Sequence, residues 1–185
     1  MQIPAEQCLA CGICVAECPA KAIALRKPQD RRQIDEELEH VLKSAAESKS
    51  KPLIIGFCCQ YGLYGTGALA SLWRETKAGI WIVPALCIAK IESEHILRSF
   101  EMGAEGVFIA GCGQKQCARE NTAFWTSQRI GKVRRLLTQI GLEPQRVQAF
   151  NLYAQDENLA KVLDRFTQQI GELFLASTIK KEVKI

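Results

Sequence analysis

The nine cysteines of this 185-residue chain constrain its fold and chemistry more than any other feature. The sequence begins without the basic and apolar segments of a signal peptide, and no apolar stretch is long enough to span a membrane, so we expect a cytoplasmic protein. Because a reducing cytosol disfavours disulfides, dense cysteine there indicates metal binding or redox chemistry. The cysteines form two groups, one near the N-terminus and one in the region that follows it: Cys8, Cys11, Cys14 and Cys18, then Cys58, Cys59, Cys87, Cys112 and Cys117.

The charge of the chain argues against a nucleic-acid-binding role. The formal net charge is +4, and the basic residues are scattered instead of forming the concentrated stripe that nucleic acid requires. A hydrophobic content of 48% and a charged content of 24% are typical of a folded domain. The length accommodates one globular domain and a small appendage.

From residue 53 onward, short apolar runs alternate with segments of helical spacing. Such alternation predicts an α/β fold: a small open parallel sheet of about four strands flanked by helices, preceded by a small cysteine-rich ferredoxin-like module. We expect the module at residues 1–25, a helical linker at 26–51 and the α/β domain at 52–185. Strands are predicted at 53–57, 80–86, 106–111 and 146–152, and helices at 34–45, 68–76, 93–103, about 118–140 and 159–173.

The first cysteine group follows the pattern Cys-x-x-Cys-x-x-Cys-x-x-x-Cys-Pro, which is the bacterial ferredoxin spacing for a [4Fe–4S] cluster. Two-residue gaps let a tight loop aim successive thiolates inward, and thiolates are the soft ligands that such clusters prefer. Zinc sites favour separated Cys-x-x-Cys pairs and frequent histidine, so zinc fits this run less well. Three alternatives stay open for Cys18: it completes this cluster, it serves a cluster shared with a partner, or a cysteine of the second group is the fourth ligand.

The second group lies at predicted strand ends. Cys58 and Cys59 end the first strand, Cys87 follows the second, Cys112 ends the third, and Cys117 lies in the next loop. Because the carboxyl ends of parallel strands meet at one edge of a sheet, these cysteines are expected to converge there. Four thiolates suffice for a [2Fe–2S] cluster, and the pattern leaves open which four of the five bind it. The competing interpretation is that these are free cysteines packed as small buried hydrophobes.

Other features of the sequence indicate no catalytic site. The segment QYGLYGTG has neither the glycine order of a dinucleotide-binding loop nor the Lys-Ser/Thr of a phosphate loop. His40 and His95 lie among charged residues on predicted helices, and we expect both at the surface. We assign no catalytic acid, base or nucleophile.

Residues 53–152 resemble the delta subunit of methyl-viologen-reducing hydrogenase, a family of small iron–sulfur proteins. The order of FCC, PALC and AEGVFIAGC, with a further cysteine five positions on, carries the resemblance, together with the helix TSQRIGKVRRLLTQIGLEPQRVQAF. Family members often carry an extra cysteine after FCC and a histidine after the last cysteine. Here no cysteine stands between Cys59 and Cys87, and Ala118 follows Cys117. The N-terminal part resembles half of a bacterial ferredoxin.

The resemblance implies a [2Fe–2S] subunit that connects an electron-donating enzyme to a heterodisulfide-reductase-A-like flavoprotein, which can perform flavin-based electron bifurcation. Related domains occur with hydrogenase, formate dehydrogenase and benzoyl-CoA-reductase systems. The resemblance therefore predicts a non-catalytic electron-transfer subunit in a hetero-oligomeric anaerobic oxidoreductase, carrying a [4Fe–4S] and a [2Fe–2S] cluster.

Two other hypotheses remain from different classes. The chain could be a thiol/disulfide redox sensor or enzyme that uses Cys58 with Cys59 or Cys112 with Cys117. It could instead be a structural zinc-binding adaptor.

Overall fold

The computed structural model describes residues 6, 8, 11–24, 31–48, 51–62, 79–112, 115, 117, 119, 121–151 and 159–182. Side chains are described for these residues except at 31–33 and 177–182. The helix predicted at 68–76 and most of the glycine-rich segment QYGLYGTG lie outside the described residues.

Four strands form one parallel sheet, which confirms the predicted α/β class. The strands are β1 (Ile54–Cys59), β2 (Ile80–Ala85), β3 (Gly106–Gly111) and β4 (Val147–Asn151). Their order across the sheet is β2-β1-β3-β4, and each neighbouring pair is parallel. β1 and β3 are buried along their whole length because they occupy the centre of the sheet.

Five described α-helices accompany the sheet. They are α1 (Ile13–Glu17), α2 (Arg31–Ser48), α3 (Ser93–Glu101), α4 (Thr122–Gln139) and α5 (Leu159–Glu182). Two 3-10 turns are also present, at Ile88–Lys90 and Pro144–Arg146. α2 packs against β2 and α3, and α4 packs against β4 and α3. The helix predicted in the linker is confirmed as α2, which buries Ile34, Leu38, Leu42 and Ala45 at the expected spacing.

One face of the sheet is covered by α5. Phe166 of that helix lies 6.2 Å, between ring centroids, from Phe108 of β3 and 5.6 Å from Phe150 of β4. A Cβ on Gly106 would lie 2.7 Å from Cγ1 of Ile170, so the helix approaches the start of β3 closely. These contacts form an aromatic core on this face.

The polypeptide leaves the sheet at one edge, where the carboxyl ends of all four strands lie together. Register pairing aligns Cys59 with Ala85, Cys58 with Ala110, and Gly111 with Asn151. The loops that follow β1, β2 and β3 therefore start side by side, as expected from the strand pattern. No helix in the described part of the chain is both long and apolar enough to cross a membrane.

Candidate metal centre

Three strands bring cysteines to the carboxyl edge of the sheet. Cys59 is the last residue of β1, Cys112 directly follows β3, and Cys87 comes two residues after β2. Because β1 lies between β2 and β3, Cys59 has Cys87 on one side and Cys112 on the other. Cys117 completes the set from the loop after β3. We call Cys59, Cys87, Cys112 and Cys117 the sheet-edge cysteines.

The sheet-edge cysteines form a chain of contacts. The thiol of Cys112 is hydrogen-bonded to the side chains of both Cys59 and Cys117. Cys87 lies within electrostatic range of Cys59, and the Cys59 S–H donates a hydrogen bond to the Leu86 carbonyl at 3.5 Å. Four sulfurs from distant parts of the sequence thus succeed one another from Cys87 to Cys117.

Burial makes these thiols reluctant to ionise on their own. Loss of water raises the pKa of Cys87 to about 11, and it raises the pKa of Cys112 to about 12, with Cys59 and Cys117 adding to the effect. Reactive cysteines have a lowered pKa, because the thiolate is the nucleophile. The free thiols are therefore poorly suited to nucleophilic chemistry, whereas a bound metal would stabilise the thiolates directly.

Cys58 does not join this set. Side chains alternate along a strand, so Cys58 and Cys59 project to opposite faces of the sheet. Cys58 shares its face with Gly56, whose register partner is Phe108 in the aromatic core. The Cys58 side chain is fully buried, and this burial, followed by the proximity of Cys59, raises its pKa. A ligand role for Cys58 stays a prediction, and its surroundings are those of a small core residue.

The donor set fits a cluster that spreads its ligands over two iron atoms. Among the described residues, no three histidine, cysteine or carboxylate side chains are arranged to hold one metal ion. The sheet-edge cysteines instead meet as successive neighbours, and a [2Fe–2S] cluster is held by four cysteines shared between two irons. Sulfur is also the softest donor in proteins, which suits iron–sulfur clusters.

Arg119 is a site residue that the sequence analysis missed. Its guanidinium lies 4.9 Å from the centre of the Tyr61 ring, a cation–π contact between the segments after β3 and β1. The same charge acts on Cys87. The only signal in the sequence was position, because Tyr61 and Arg119 each stand two residues beyond a candidate ligand, Cys59 and Cys117.

The N-terminal cysteines, Cys8, Cys11, Cys14 and Cys18, occupy a more open setting. Cys8 is exposed and the other three are partly buried around α1. The backbone N–H of Ala22 lowers the pKa of the Cys18 thiol most, and other amides of residues 20–23 add to this effect. Amide donors of this kind are the hydrogen bonds that tune cluster sulfurs. Ligation by these four cysteines stays a prediction.

The two cysteine groups approach each other at one point. Cys11 lies within electrostatic range of Cys87. The next residue, Gly12, has φ +78° and packs so tightly that a Cβ there would lie 2.2 Å from Cγ of Lys90. Local sequence patterns do not indicate this approach, because Cys11 and Cys87 are far apart along the chain.

The two histidines lie in different surroundings. His40 is exposed, as expected, but the expected surface position of His95 is wrong. Its Nδ1 accepts a hydrogen bond from the Glu92 backbone N–H at 2.9 Å, and its Nε2 lies 3.4 Å from Asp35. His95 is therefore part of the start of α3, where it pairs with Glu92 in a capping arrangement.

A family model described as methyl-viologen-reducing hydrogenase, delta subunit, matches residues 54–173, nearly two thirds of the chain. The matched stretch runs from β1 into α5 and contains all five cysteines of the second group. It begins after the N-terminal cysteines, so the match does not cover them.

Curated relatives fall into two kinds, of which the first is hydrogenase iron–sulfur subunits. An F420-non-reducing hydrogenase vhc iron–sulfur subunit of Methanococcus voltae is 34% identical over 98 residues, covering 52% of this chain and 68% of the relative. A vhu iron–sulfur subunit of Methanopyrus kandleri is 28% identical over 122 residues, covering 65% of this chain and 88% of the relative.

The second kind is much longer than this chain. A ferredoxin:CoB-CoM heterodisulfide reductase, in its A component from Methanosarcina mazei, is 26% identical over 158 residues, which is 83% of this chain. The chain spans only about a fifth of that relative's length. Residues 54–185 are less than three quarters of the chain, so this match also includes residues before the sheet.

Proposed function

Because the chain belongs to the methyl-viologen-reducing hydrogenase delta-subunit family, we propose that it is an iron–sulfur electron-transfer subunit with two cluster sites. The sheet-edge cysteines would hold a [2Fe–2S] cluster, and the N-terminal cysteines a [4Fe–4S] cluster. The observation that carries the proposal is the convergence of Cys59, Cys87, Cys112 and Cys117 from three strand ends.

The residues of this chain have separate roles in that function. Each cluster, when bound, supplies a site that accepts and returns one electron. The sheet-edge cysteines bind as thiolates, and the surrounding core excludes water from Cys87 and Cys112. Arg119 places a positive charge beside Cys87, which favours the reduced, more negative state of this site. At the N-terminal site, backbone amides donate to Cys18.

The proposed partners follow from the relatives. Two of them are A components of heterodisulfide reductases, and others are hydrogenase iron–sulfur subunits. We propose that this chain works in a hetero-oligomer with a heterodisulfide-reductase-A-like flavoprotein and a second oxidoreductase subunit that donates or accepts electrons. A bifurcating flavin in that partner would extend the same path.

The test is metal analysis and spectroscopy of the full chain purified without oxygen. We expect about six iron atoms per chain, four from one cluster type and two from the other, and visible absorbance that bleaches on reduction. Electron paramagnetic resonance (EPR) of the reduced protein should resolve two signals. Stoichiometric zinc without visible absorbance would instead establish the structural zinc adaptor.

Partner binding is tested separately from cluster content. Affinity purification from a host that expresses the neighbouring redox subunits is expected to retain a flavin-containing protein, detected by its absorbance and mass. Retention of no flavoprotein by a chain loaded with iron would refute the partner assignment and leave the cluster assignment intact.

A further inference from the structure

The N-terminal segment is attached to the α/β domain by a buried arginine of α4. The Nε and Nη2 groups of Arg129 donate to one carboxylate oxygen of Glu17, at the end of α1, over 2.9 and 2.5 Å. Its Nη1 donates to the Ile91 carbonyl at 2.9 Å. Arg129 is only 7% exposed. One guanidinium therefore joins α1, α4 and the segment after β2 with three charge-assisted hydrogen bonds.

A second ion pair holds the same segment. Lys21 bonds to the carboxylate of Glu92, which is itself almost fully buried. Glu92 is fixed in place because it caps α3 and pairs with His95 there. We call the Arg129–Glu17–Ile91 contacts and the Lys21–Glu92 pair the clasp.

The clasp carries much of the attachment because open space adjoins it. A cleft of about 500 Å³ lies between α1 on one side and α3 and α4 on the other, lined by Glu17, Lys21, Glu92 and Arg129 together with Trp125 and Leu136. Apolar packing is correspondingly limited there, and Gly12 approaches the side chain of Lys90 closely. The position of α1 thus depends on a few polar contacts.

The clasp and the close approach of the two cysteine groups lie on the same short segment after β2. Cys87, Lys90, Ile91 and Glu92 fall within six residues, and each contacts the N-terminal segment: Cys87 meets Cys11, Lys90 meets Gly12, Ile91 accepts from Arg129, and Glu92 pairs with Lys21. A shift of α1 away from this segment would separate Cys11 from Cys87.

Resting on the proposed function, we infer that Arg129 is a positioning residue that fixes the separation between the two cluster sites. Electron exchange between them oxidises one site and reduces the other by one electron, with no bond formed or broken. Because electron tunnelling weakens steeply with distance, the exchange requires Cys11 and Cys87 to stay adjacent. Arg129 contacts neither group of ligands and acts through Glu17 and Ile91.

The experiment compares Arg129→Gln with Arg135→Gln in the full chain. Arg135 is an exposed arginine on the same helix, so its variant removes an equal charge without touching the clasp. Three quantities are measured without oxygen: iron per chain, the magnetic interaction between the reduced clusters by EPR, and amide hydrogen exchange across Ile13–Glu17. Glu17→Gln provides a second route, because it weakens the same contact from the side of α1.

In Arg129→Gln we expect unchanged iron, a weaker magnetic interaction, and exchange in α1 that is about 10- to 100-fold faster, as expected when a buried charged partner is lost. Glu17→Gln should change both readouts in the same direction, and Arg135→Gln should match the wild type. If Arg129→Gln does not fold, Glu17→Gln decides the test.

The inference is overturned if an iron-loaded Arg129→Gln or Glu17→Gln keeps the wild-type magnetic interaction. A wild-type chain that binds no iron in either region would instead overturn the proposed function, and the inference with it. Iron content therefore separates the two failures.

Discussion

The N-terminal cysteines and the sheet-edge cysteines reach their surroundings by opposite routes. Cys8, Cys11, Cys14 and Cys18 are brought together by a spacing of two and three residues, and they stay partly open to solvent. The sheet-edge cysteines are brought together by strand order, and Cys59 and Cys87 are buried. One group depends on a local loop, and the other depends on the whole sheet.

The electrostatic settings differ in the same way. Backbone amides around Ala22 lower the pKa of Cys18, whereas burial raises the pKa of Cys87 and Cys112. Hydrogen bonds to sulfur and exposure to solvent both influence cluster potential. We therefore expect the two sites to have different potentials, with the more amide-rich and exposed N-terminal site tuned by its loop and the sheet-edge site by Arg119 and the core.

The largest expected effect separates two adjacent cysteines. Cys59→Ala should abolish the sheet-edge cluster, because it removes the central member of the contact chain, and the [2Fe–2S] signal should disappear while the N-terminal signal remains. Cys58→Ala is the matched control and should keep both signals, since its side chain lies on the opposite face. Iron analysis and EPR measure both variants. Loss of the cluster in Cys58→Ala and its retention in Cys59→Ala would reverse our ligand assignment.

A smaller effect is expected from the sheet edge itself. A Cβ on Gly111 would lie 2.2 Å from Cδ1 of Ile88, directly beside Cys112 and Cys87. Gly111→Ala should therefore destabilise the fold by about 1–3 kcal/mol through overpacking and lower the occupancy of the sheet-edge cluster. Chemical unfolding and iron content measure the two effects.

Gly131→Ala supplies the control for that substitution. Gly131 lies inside α4, where a Cβ would meet only Arg135 at 3.8 Å. Alanine favours a helix over glycine by about 0.5–1 kcal/mol, so this variant should be slightly stabilised with unchanged iron. Equal behaviour of the two variants would show that the edge tolerates displacement of Ile88.

The contact between the two regions is tested by Gly12→Ala. The left-handed backbone at φ +78° disfavours alanine by about 1–2 kcal/mol, and the collision with Lys90 adds to this. Amide exchange in Ile13–Glu17 should become faster because the segment detaches. Gly141→Ala has the same backbone strain at φ +79° but open space around it, so α1 should exchange at the wild-type rate there. Faster exchange in α1 of both variants would argue against a specific contact at Lys90.

The smallest effect is expected for Lys21→Gln. The Lys21 side chain is 48% exposed, so its pair with Glu92 should contribute less than about 1 kcal/mol, and salt should screen it. Exchange in α1 should rise slightly at low ionic strength and match the wild type at about 1 M salt, where the screening length is about 3 Å. Lys43→Gln, which breaks the exposed pair with Glu39 in α2, should leave α1 unchanged at any salt concentration. An effect of Lys21→Gln that persists in high salt would indicate a role other than charge pairing.

Much of the fold could be predicted because its signals are local. The strand β3 begins and ends where the apolar run GVFIAG does, and α2 buries the residues that its spacing indicated. The placement of cysteines at strand ends also followed from the sequence, because a parallel sheet aligns those ends. His95 was misjudged because its charged sequence neighbours gave no sign of the capping contact with Glu92.

The sequence by itself determined the parallel α/β class, the two cysteine groups and the edge of the sheet at which the second group lies, because periodicity and spacing are properties of nearby residues. Only the tertiary structure separated Cys58 from Cys59, placed Arg119 beside Cys87, and brought Cys11 to the same region through Arg129. Strand alternation, register and contacts between segments far apart in the chain decide those points, and each depends on how distant segments pack against one another.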